Sequence, residues 1–132
     1  MADLSYDPRI GSRPTDPMLQ TIRLSEGKLE MGVCRWHAVG VATGVAQILD
    51  LTVHLPHRRQ GFGRKLMSCA VDQMLAWHRG HQRPLRRVWG AVRQKEQVVA
   101  RAFMLLHGFN HIGSVHDLFT DEDALIYVRT FD

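Results

Sequence analysis

Apolar and polar residues alternate along three consecutive segments in the first half of the chain. The segments are MLQTIRL (18–24), KLEMGVCRWHAV (28–39) and VAQILDLTVHL (45–55), and the breaks between them are SEGK and GVATG. Alternation with a period of two is typical of β-strands, and short breaks that contain glycine are typical of hairpins. The pattern predicts three strands joined by turns.

The third of these strands is expected to have two chemically different faces. Strict alternation puts four apolar side chains on one face: Leu49, Leu51, Val53 and Leu55. It puts three polar side chains on the other: Asp50, Thr52 and His54. Any chemistry on this strand is therefore expected on the second face.

Two later segments show helical spacing. In the first, which ends at Gly80, the apolar residues fall on one helical face: Leu66, Met67, Ala70, Val71, Met74 and Leu75. The second is EQVVARAFMLL (96–106), which ends before Gly108. Further strands are predicted at RVWGAV (87–92), FNHIGSVHDLF (109–119) and ALIYVRTF (124–131). This order indicates an α/β or α+β fold, with helices packed on a sheet.

The first 17 residues differ from the rest of the chain. They contain Pro8, Pro14 and Pro17 and show no apolar periodicity. We predict a disordered or extended arm over residues 1–17, without regular structure. A chain of 132 residues is of single-domain size, so residues 18–132 are predicted to form one domain.

Composition narrows the setting in which the protein works. The formal charge of +4 favours anionic partners. The cysteines, Cys34 and Cys69, lie in apolar segments, which favours reduced, buried thiols and a cytoplasmic location. The N-terminus lacks the apolar core of a signal peptide, and no segment approaches the roughly 20 apolar residues of a membrane span, so we expect no membrane association.

The segment HLPHRRQGFGRKLM (54–67) joins the third strand to the first helix and concentrates positive charge around two glycines. The first turn of a helix presents N–H groups that lack an internal partner, and the helix dipole is positive there. Glycine lets a phosphate approach the backbone, so the loop could hold a pyrophosphate. It matches neither the Walker loop nor the complete dinucleotide-binding fingerprint. A charged, solvated turn is the alternative.

Two blocks of sequence resemble the GNAT N-acetyltransferase superfamily. LTVHLPHRRQGFGRKLM (51–67) is similar to the family's apolar strand, [QR]xxGx[GA] loop and helix, with Arg58, Gly61 and Gly63 at the signature positions. QVVARAFMLLHGF (97–109) is similar to the later helix, NxxAxxxYxxxGF. Gln97 replaces the usual Asn there, and Met104 replaces the usual Tyr. With the order of strands, the resemblance covers about residues 30–131.

The resemblance implies a mixed, mostly antiparallel sheet with helices packed on it. It also implies acetyl-CoA, or another acyl-CoA, as co-substrate. Backbone amides of Arg59, Gln60, Gly61, Phe62, Gly63 and Arg64 would bind the pyrophosphate, and the side chains of Arg58, Arg59, Arg64 and Lys65 could neutralise phosphates. Backbone groups from Leu51 to Val53 would pair with the pantetheine amides as an added strand would. Gln97 would supply an amide to the cofactor, and Met104 would face its sulfur.

The implied activity is transfer of an acetyl group to a primary amine on a small molecule or a protein. Asp50 is the candidate base, acting through water, with a structural carboxylate as the alternative. Met104 cannot donate a proton where the family usually has tyrosine. The second candidate is therefore a non-catalytic module that binds acyl-CoA or a partner protein.

The resemblance also suggests a missing N-terminal segment. Family members usually have two helices before the hairpin strands, and residues 1–17 are too few for two helices of average length. We therefore expect an open acceptor side and a homodimer whose partner helps to close it.

Two other kinds of site are not expected. The pairs His54/His57, His78/His81 and His107/His111 have no matching Cys or acidic cluster, so no metal is predicted. The basic segment HRGHQRPLRR (78–87) lacks interleaved aromatic residues, which makes nucleic-acid binding an unfavoured function.

Overall fold

A computed structural model describes residues 3–7, 19–40, 43–54, 58, 60–81 and 83–131, with the backbone alone for residues 3–7 and Gln97. Within these residues the strands are β1 Asp3–Asp7, β2 Leu19–Glu26, β3 Leu29–Ala38, β4 Val45–Val53, β5 Arg87–Arg93, β6 Asn110–Phe119 and β7 Glu122–Thr130. The helices are α1 Phe62–Gly80, between β4 and β5, and α2 Gln97–Leu106, between β5 and β6. A short 3-10 turn, Gln94–Glu96, leads into α2.

The strands form one sheet in the order β1-β2-β3-β4-β5-β7-β6. Neighbouring strands are antiparallel everywhere except at β4 and β5, which run parallel. The helix α1 is the crossover that a parallel pair requires. The predicted order of strands and helices from residue 18 onwards is confirmed, and so is the mixed, mostly antiparallel sheet.

Both helices pack on the sheet. Helix α1 contacts β2, β3 and β4, whereas α2 contacts β5, and the two helices meet where Gly63 of α1 faces the ring of Phe103 of α2. The apolar stripe predicted for α1 is largely buried: Leu66, Met67, Ala70, Val71 and Met74. These side chains share one core with Ile22, Leu24, Cys34, Trp36, Val88, Phe109 and Tyr127.

Five residues of the N-terminal arm are extended, as one of the two predicted alternatives has it, and they form a regular strand. Asp3–Asp7 is not irregular, because it pairs antiparallel with β2 from Asp3↔Ser25 to Asp7↔Thr21. The segment has no strong pattern of its own and gains its order from the backbone partners that β2 offers. The predicted absence of two helices concerns residues 1–17, of which all but residues 3–7 lie outside the described residues.

Strand β4 also departs from the strict alternation that was predicted. Arg35 of β3 pairs with Asp50 and Trp36 pairs with Ile48, so Leu49 has no partner on β3. A single extra residue of this kind is a β-bulge, which bends the strand and shifts the phase of the side chains. The bulge explains why Leu49 is 48% exposed instead of lying on the half-buried face of Leu51 and Val53.

Candidate functional site

The sheet opens between its two parallel strands. Pairing of β4 with β5 ends at Ile48↔Gly90, although β4 continues to Val53 and β5 to Arg93. Beyond that point β4 stays with β3, and β5 stays with β7. The last residues of β4, including Leu51 and Val53, therefore have a strand on one side only. Their outward backbone groups can pair with an extended ligand.

The N-terminus of α1 lies directly after this opening in the chain. The first helical hydrogen bond runs from the N–H of Lys65 to the carbonyl of Gly61 at 3.1 Å. The N–H groups of Phe62, Gly63 and Arg64 consequently lack an acceptor within the helix. Within the described residues no side chain caps this end, and the first turn has no acidic residue. The arrangement favours an anion.

The two loop glycines have different structural roles. Gly61 precedes α1 with φ 80° and ψ 8°, a left-handed conformation that glycine adopts without strain. A Cβ at Gly61 would meet no atom of the described residues within 4 Å. Gly63 does not have a positive φ. A Cβ there would lie 3.4 Å from the ring of Phe103 and 3.9 Å from Val53, so Gly63 allows the helix start to pack closely on α2 and β4.

The basic side chains of the loop do not all face the same way. Nε of Arg58 donates to the carbonyl oxygen of Val53 at 2.9 Å, which ties the loop back to the end of β4. Arg64 and Lys65 are exposed at the first turn of α1, and so is Gln60 just before it. Arg59 lies outside the described residues. Among the described residues, Arg64 and Lys65 are thus the cations next to the first N–H groups of α1.

Helix α2 contributes two of the predicted positions. Gln97 is its first residue, and its side chain is not described. Met104 is 6% exposed and belongs to the hydrophobic core. Its carbonyl accepts hydrogen bonds from the N–H groups of His107 and Phe109, which close the end of the helix. This burial is compatible with the role of an apolar core residue.

Asp50 is held by two side chains. Its carboxylate accepts from Nη1 of Arg35 at 3.0 Å and from the hydroxyl of Thr52 at 2.7 Å. Asp50 and Arg35 are each about two-fifths exposed, so water still reaches the pair. Asp50 directly follows the bulge at Leu49, beside the opening of the sheet.

The sequence gives no signal for a group of basic side chains around His107. His107 follows α2, and burial, Arg64 and Arg129 all lower its pKa. Its Nε2 is buried and has no hydrogen-bond partner within the described part of the chain. Arg64 and Arg129 are 65 residues apart, and no motif links them to His107, so only the fold reveals that they are close.

The described histidines of the pairs in the sequence make separate contacts, and His57 lies outside the described residues. His54 contacts the carboxylate of Glu30 at 3.3 Å, while His78 and His81 donate to backbone carbonyls within α1. Among the described residues, the one group with metal-ligand geometry is His116, Asp117 and Asp123, on the exposed β6–β7 hairpin. In the same residues, no helix is long and apolar enough to cross a membrane.

Comparison with known families identifies the class of protein. The model of the acetyltransferase (GNAT) family matches residues 22–109, which run from within β2 to the end of α2 and thus include the opening and the loop. The chain belongs to this family. A comparison with curated protein sequences finds no significant match.

Solved structures share the fold at low sequence identity. An IAA acetyltransferase from Bacillus cereus has a TM-score of 0.80 at 14% identity, covering 99% of this chain and 100% of that one. The ribosomal-protein-S18-alanine N-acetyltransferase from Escherichia coli has a TM-score of 0.75 at 20% identity, covering 98% and 94%. A GNAT family acetyltransferase from Elizabethkingia anophelis with acetyl-CoA bound has a TM-score of 0.75 at 10% identity, covering 98% of each chain.

Proposed function

We propose that this protein is an N-acyltransferase that moves an acetyl group from acetyl-CoA to a primary amine. The observation that carries the proposal is the opening between β4 and β5, which lies next to the uncapped N-terminus of α1. A strand that is paired on one side only can form hydrogen bonds with the amides of pantetheine, and the N–H groups at the start of α1 can bind a pyrophosphate. Acetyl-CoA combines these two chemical features.

The residues that would hold acetyl-CoA divide into two groups. Backbone groups of Leu51 to Val53 would pair with the pantetheine arm, and Gln97 would reach it from the start of α2. The N–H groups of Phe62, Gly63 and Arg64 would bind the pyrophosphate. Arg64 and Lys65 add positive charge at the same end of α1, whereas the bond from Arg58 to Val53 shapes the loop.

The transfer itself requires a neutral amine. Its nitrogen forms a bond to the acyl carbon as the carbon–sulfur bond breaks, and the thiolate leaves while the amine loses a proton. Asp50 is the candidate that receives this proton through water, since its carboxylate is partly exposed beside the opening. The contacts to Arg35 and Thr52 fix its position, and they equally suit a structural carboxylate.

A non-catalytic acyl-CoA-binding module is the second candidate, and the residue at position 104 favours it. The family's usual tyrosine is absent there, and the buried Met104 has no proton to donate. A general acid typically contributes about 10² to 10⁴ in rate. Its loss slows transfer without abolishing it, because a thiol with a pKa near that of cysteine, about 8.5, is a fair leaving group.

The homodimer predicted from the sequence also belongs to this proposal. Apolar side chains are exposed on α2 and on the edge strand β6: Val98 and Val99 are each 80% exposed, and Ile112 is 66% exposed. Exposed apolar surface of this kind commonly becomes an interface. We propose that two copies associate and that the partner helps to close the acceptor side.

Turnover and binding separate the two candidate functions. The full chain is incubated with acetyl-CoA and a panel of amines that includes free lysine, polyamines and peptides with free N-termini, and release of the CoA thiol is followed. Calorimetry with acetyl-CoA is run in parallel. Turnover with any amine supports the enzyme, binding without turnover supports the module, and failure to bind acetyl-CoA contradicts both.

A further inference from the structure

A groove runs between α2 and the edge strand β6 and has a volume of about 600 Å³. Three positions of α2 form one wall, and Asn110 and His111 at the start of β6 form the other. The floor is formed by Leu125 and Tyr127, two buried residues of β7. Sites for small molecules commonly have volumes of about 300–1,000 Å³, so the groove has the size of a ligand site.

The groove is separate from the candidate acetyl-CoA site. Its α2 wall consists of Val98, Arg101 and Leu105, whose spacing of three and four residues places them on one face of the helix. Met104 lies on a neighbouring face and is buried in the core. The groove lies over β7 and β6, whereas the opening of the sheet lies between β4 and β5. A ligand in the groove and acetyl-CoA in the opening would therefore lie on different sides of α2.

Part of the groove is apolar. Val98 and Leu105 expose aliphatic side chains along the wall, and the floor adds Leu125 and the ring of Tyr127. Covering exposed apolar surface is favourable in proportion to the area that is removed from water. This part of the groove therefore favours a ligand with an apolar body.

Tyr127 is the polar residue of the floor and is only 2% exposed. Within the described residues its hydroxyl forms no hydrogen bond, yet the oxygen is not sealed from solvent in the way that Nε2 of His78 is. Because Tyr127 lines the groove, the accessible part of its side chain lies there. The hydroxyl of a buried tyrosine usually has a hydrogen-bond partner, and a ligand in the groove can provide one.

Arg101 gives the groove a positive charge, and its side chain is exposed. In the part of the chain that the structure describes, Arg101 forms no ion pair, whereas three other arginines each pair with a carboxylate: Arg23, Arg35 and Arg93. The described residues that line the groove include no acidic side chain. A guanidinium without a counterion favours a ligand that carries a carboxylate, because the two groups can form a pair of parallel hydrogen bonds.

We propose that the groove binds a small carboxylic acid with an apolar body, at a site distinct from that of acetyl-CoA. The apolar body lies against Val98 and Leu105, and the carboxylate accepts hydrogen bonds from Arg101. The hydroxyl of Tyr127 donates to an oxygen of the ligand. This inference goes beyond the proposed function and does not depend on it, since no residue of the groove takes part in the proposed acetyl transfer.

The test uses 2-naphthoate as the probe and 2-naphthamide as its uncharged match, each titrated into the full chain by calorimetry. A ligand of this size is expected to bind with a Kd of about 0.1–1 mM. We expect naphthoate to bind about threefold more tightly than naphthamide, because an exposed charge contributes modestly. Arg101→Gln should remove this preference. Arg79→Gln, which removes the same charge in the last turn of α1, should keep it.

Two further variants test the floor and the wall of the groove. Tyr127→Phe keeps the ring and removes only the hydroxyl, so it should weaken naphthoate binding by about two- to tenfold. Its melting temperature should be unchanged, because the hydroxyl has no partner within the described residues. Leu105→Trp places a larger side chain in the groove and should abolish binding. Thermal unfolding verifies that each variant is folded.

Equal affinity for naphthoate and naphthamide would overturn the inference, and so would wild-type protein that binds no naphthoate at millimolar concentration. Unchanged binding in both Tyr127→Phe and Leu105→Trp would show that the probe lies elsewhere. Displacement of naphthoate by acetyl-CoA would place the probe in the acetyl-CoA site and contradict a separate groove. Light scattering that shows a dimer dissociating on addition of naphthoate would identify a second copy as the natural occupant and would also overturn the inference.

Discussion

Replacing Gly61 with alanine should both destabilise the protein and weaken acetyl-CoA binding. At φ 80° a residue with a Cβ is strained by about 1–2 kcal/mol. No atom of the described residues lies within 4 Å of the new Cβ, so the backbone strain is the expected cost. For a chain of this size the melting temperature should fall by about 3–10 °C. A phosphate displaced from one charge-assisted hydrogen bond should bind at least about tenfold more weakly.

Two matched variants distinguish the effect of backbone strain at Gly61 from the effect of an added side chain. The melting temperature of Gly61→Asn should lie closer to that of the wild type than the melting temperature of Gly61→Ala does, because asparagine tolerates the left-handed region. Gly61→Asn should still bind acetyl-CoA more weakly than the wild type. Gly63→Ala should not lower the stability of the protein. Alanine stabilises the helix by up to about 1 kcal/mol relative to glycine, and this gain offsets the close contact of 3.4 Å between the new Cβ and the ring of Phe103. Differential scanning calorimetry and titration calorimetry measure both quantities. A Gly61→Ala protein as stable as wild type, with the same affinity, would refute the reasoning.

Further predictions concern the missing general acid at Met104, the candidate base Asp50, the buried thiol of Cys34 and the homodimer. Met104→Tyr should raise the rate of acetyl transfer if the site lacks only its acid, and an unchanged rate would indicate that residue 104 does not face the sulfur. Asp50→Asn should lower kcat more than it raises KM, whereas a purely structural carboxylate would show up as a lower melting temperature. Burial raises the pKa of Cys34 to about 12, so this thiol should resist alkylation at pH 8 until the protein is unfolded, and rapid labelling of Cys34 in the native protein would contradict its burial. Light scattering at micromolar concentration should give the mass of a dimer, and a monomer would count against the proposed partner contribution.

Much of the fold could be predicted because its signals are local. Alternation along β2 and β3 and the helical spacing of α1 and α2 are properties of short segments, and glycines mark where both helices end. Strand β1 could not be found in this way, since its order depends on pairing with β2. The bulge at Leu49 likewise exists only as a relation between β4 and β3.

In the candidate site, too, the local features could be predicted from the sequence and the features that depend on packing could not. The loop after β4 is a contiguous motif, so its position next to α1 followed from the sequence. The different roles of Gly61 and Gly63 depend on backbone angles and on Phe103, which is 40 residues further along the chain. The cluster around His107 depends on the packing of α1, α2 and β7, and nothing local indicates it.

Hydrogen exchange in the presence of acetyl-CoA tests the central claim most directly. If acetyl-CoA lies in the opening between β4 and β5 with its pyrophosphate on α1, the amides of Leu51 to Val53 and of Phe62 to Arg64 should exchange more slowly in the complex. The exposed strand β6 serves as the internal reference and should be unaffected. Protection confined to other parts of the chain, or no protection at saturating acetyl-CoA, would contradict the account.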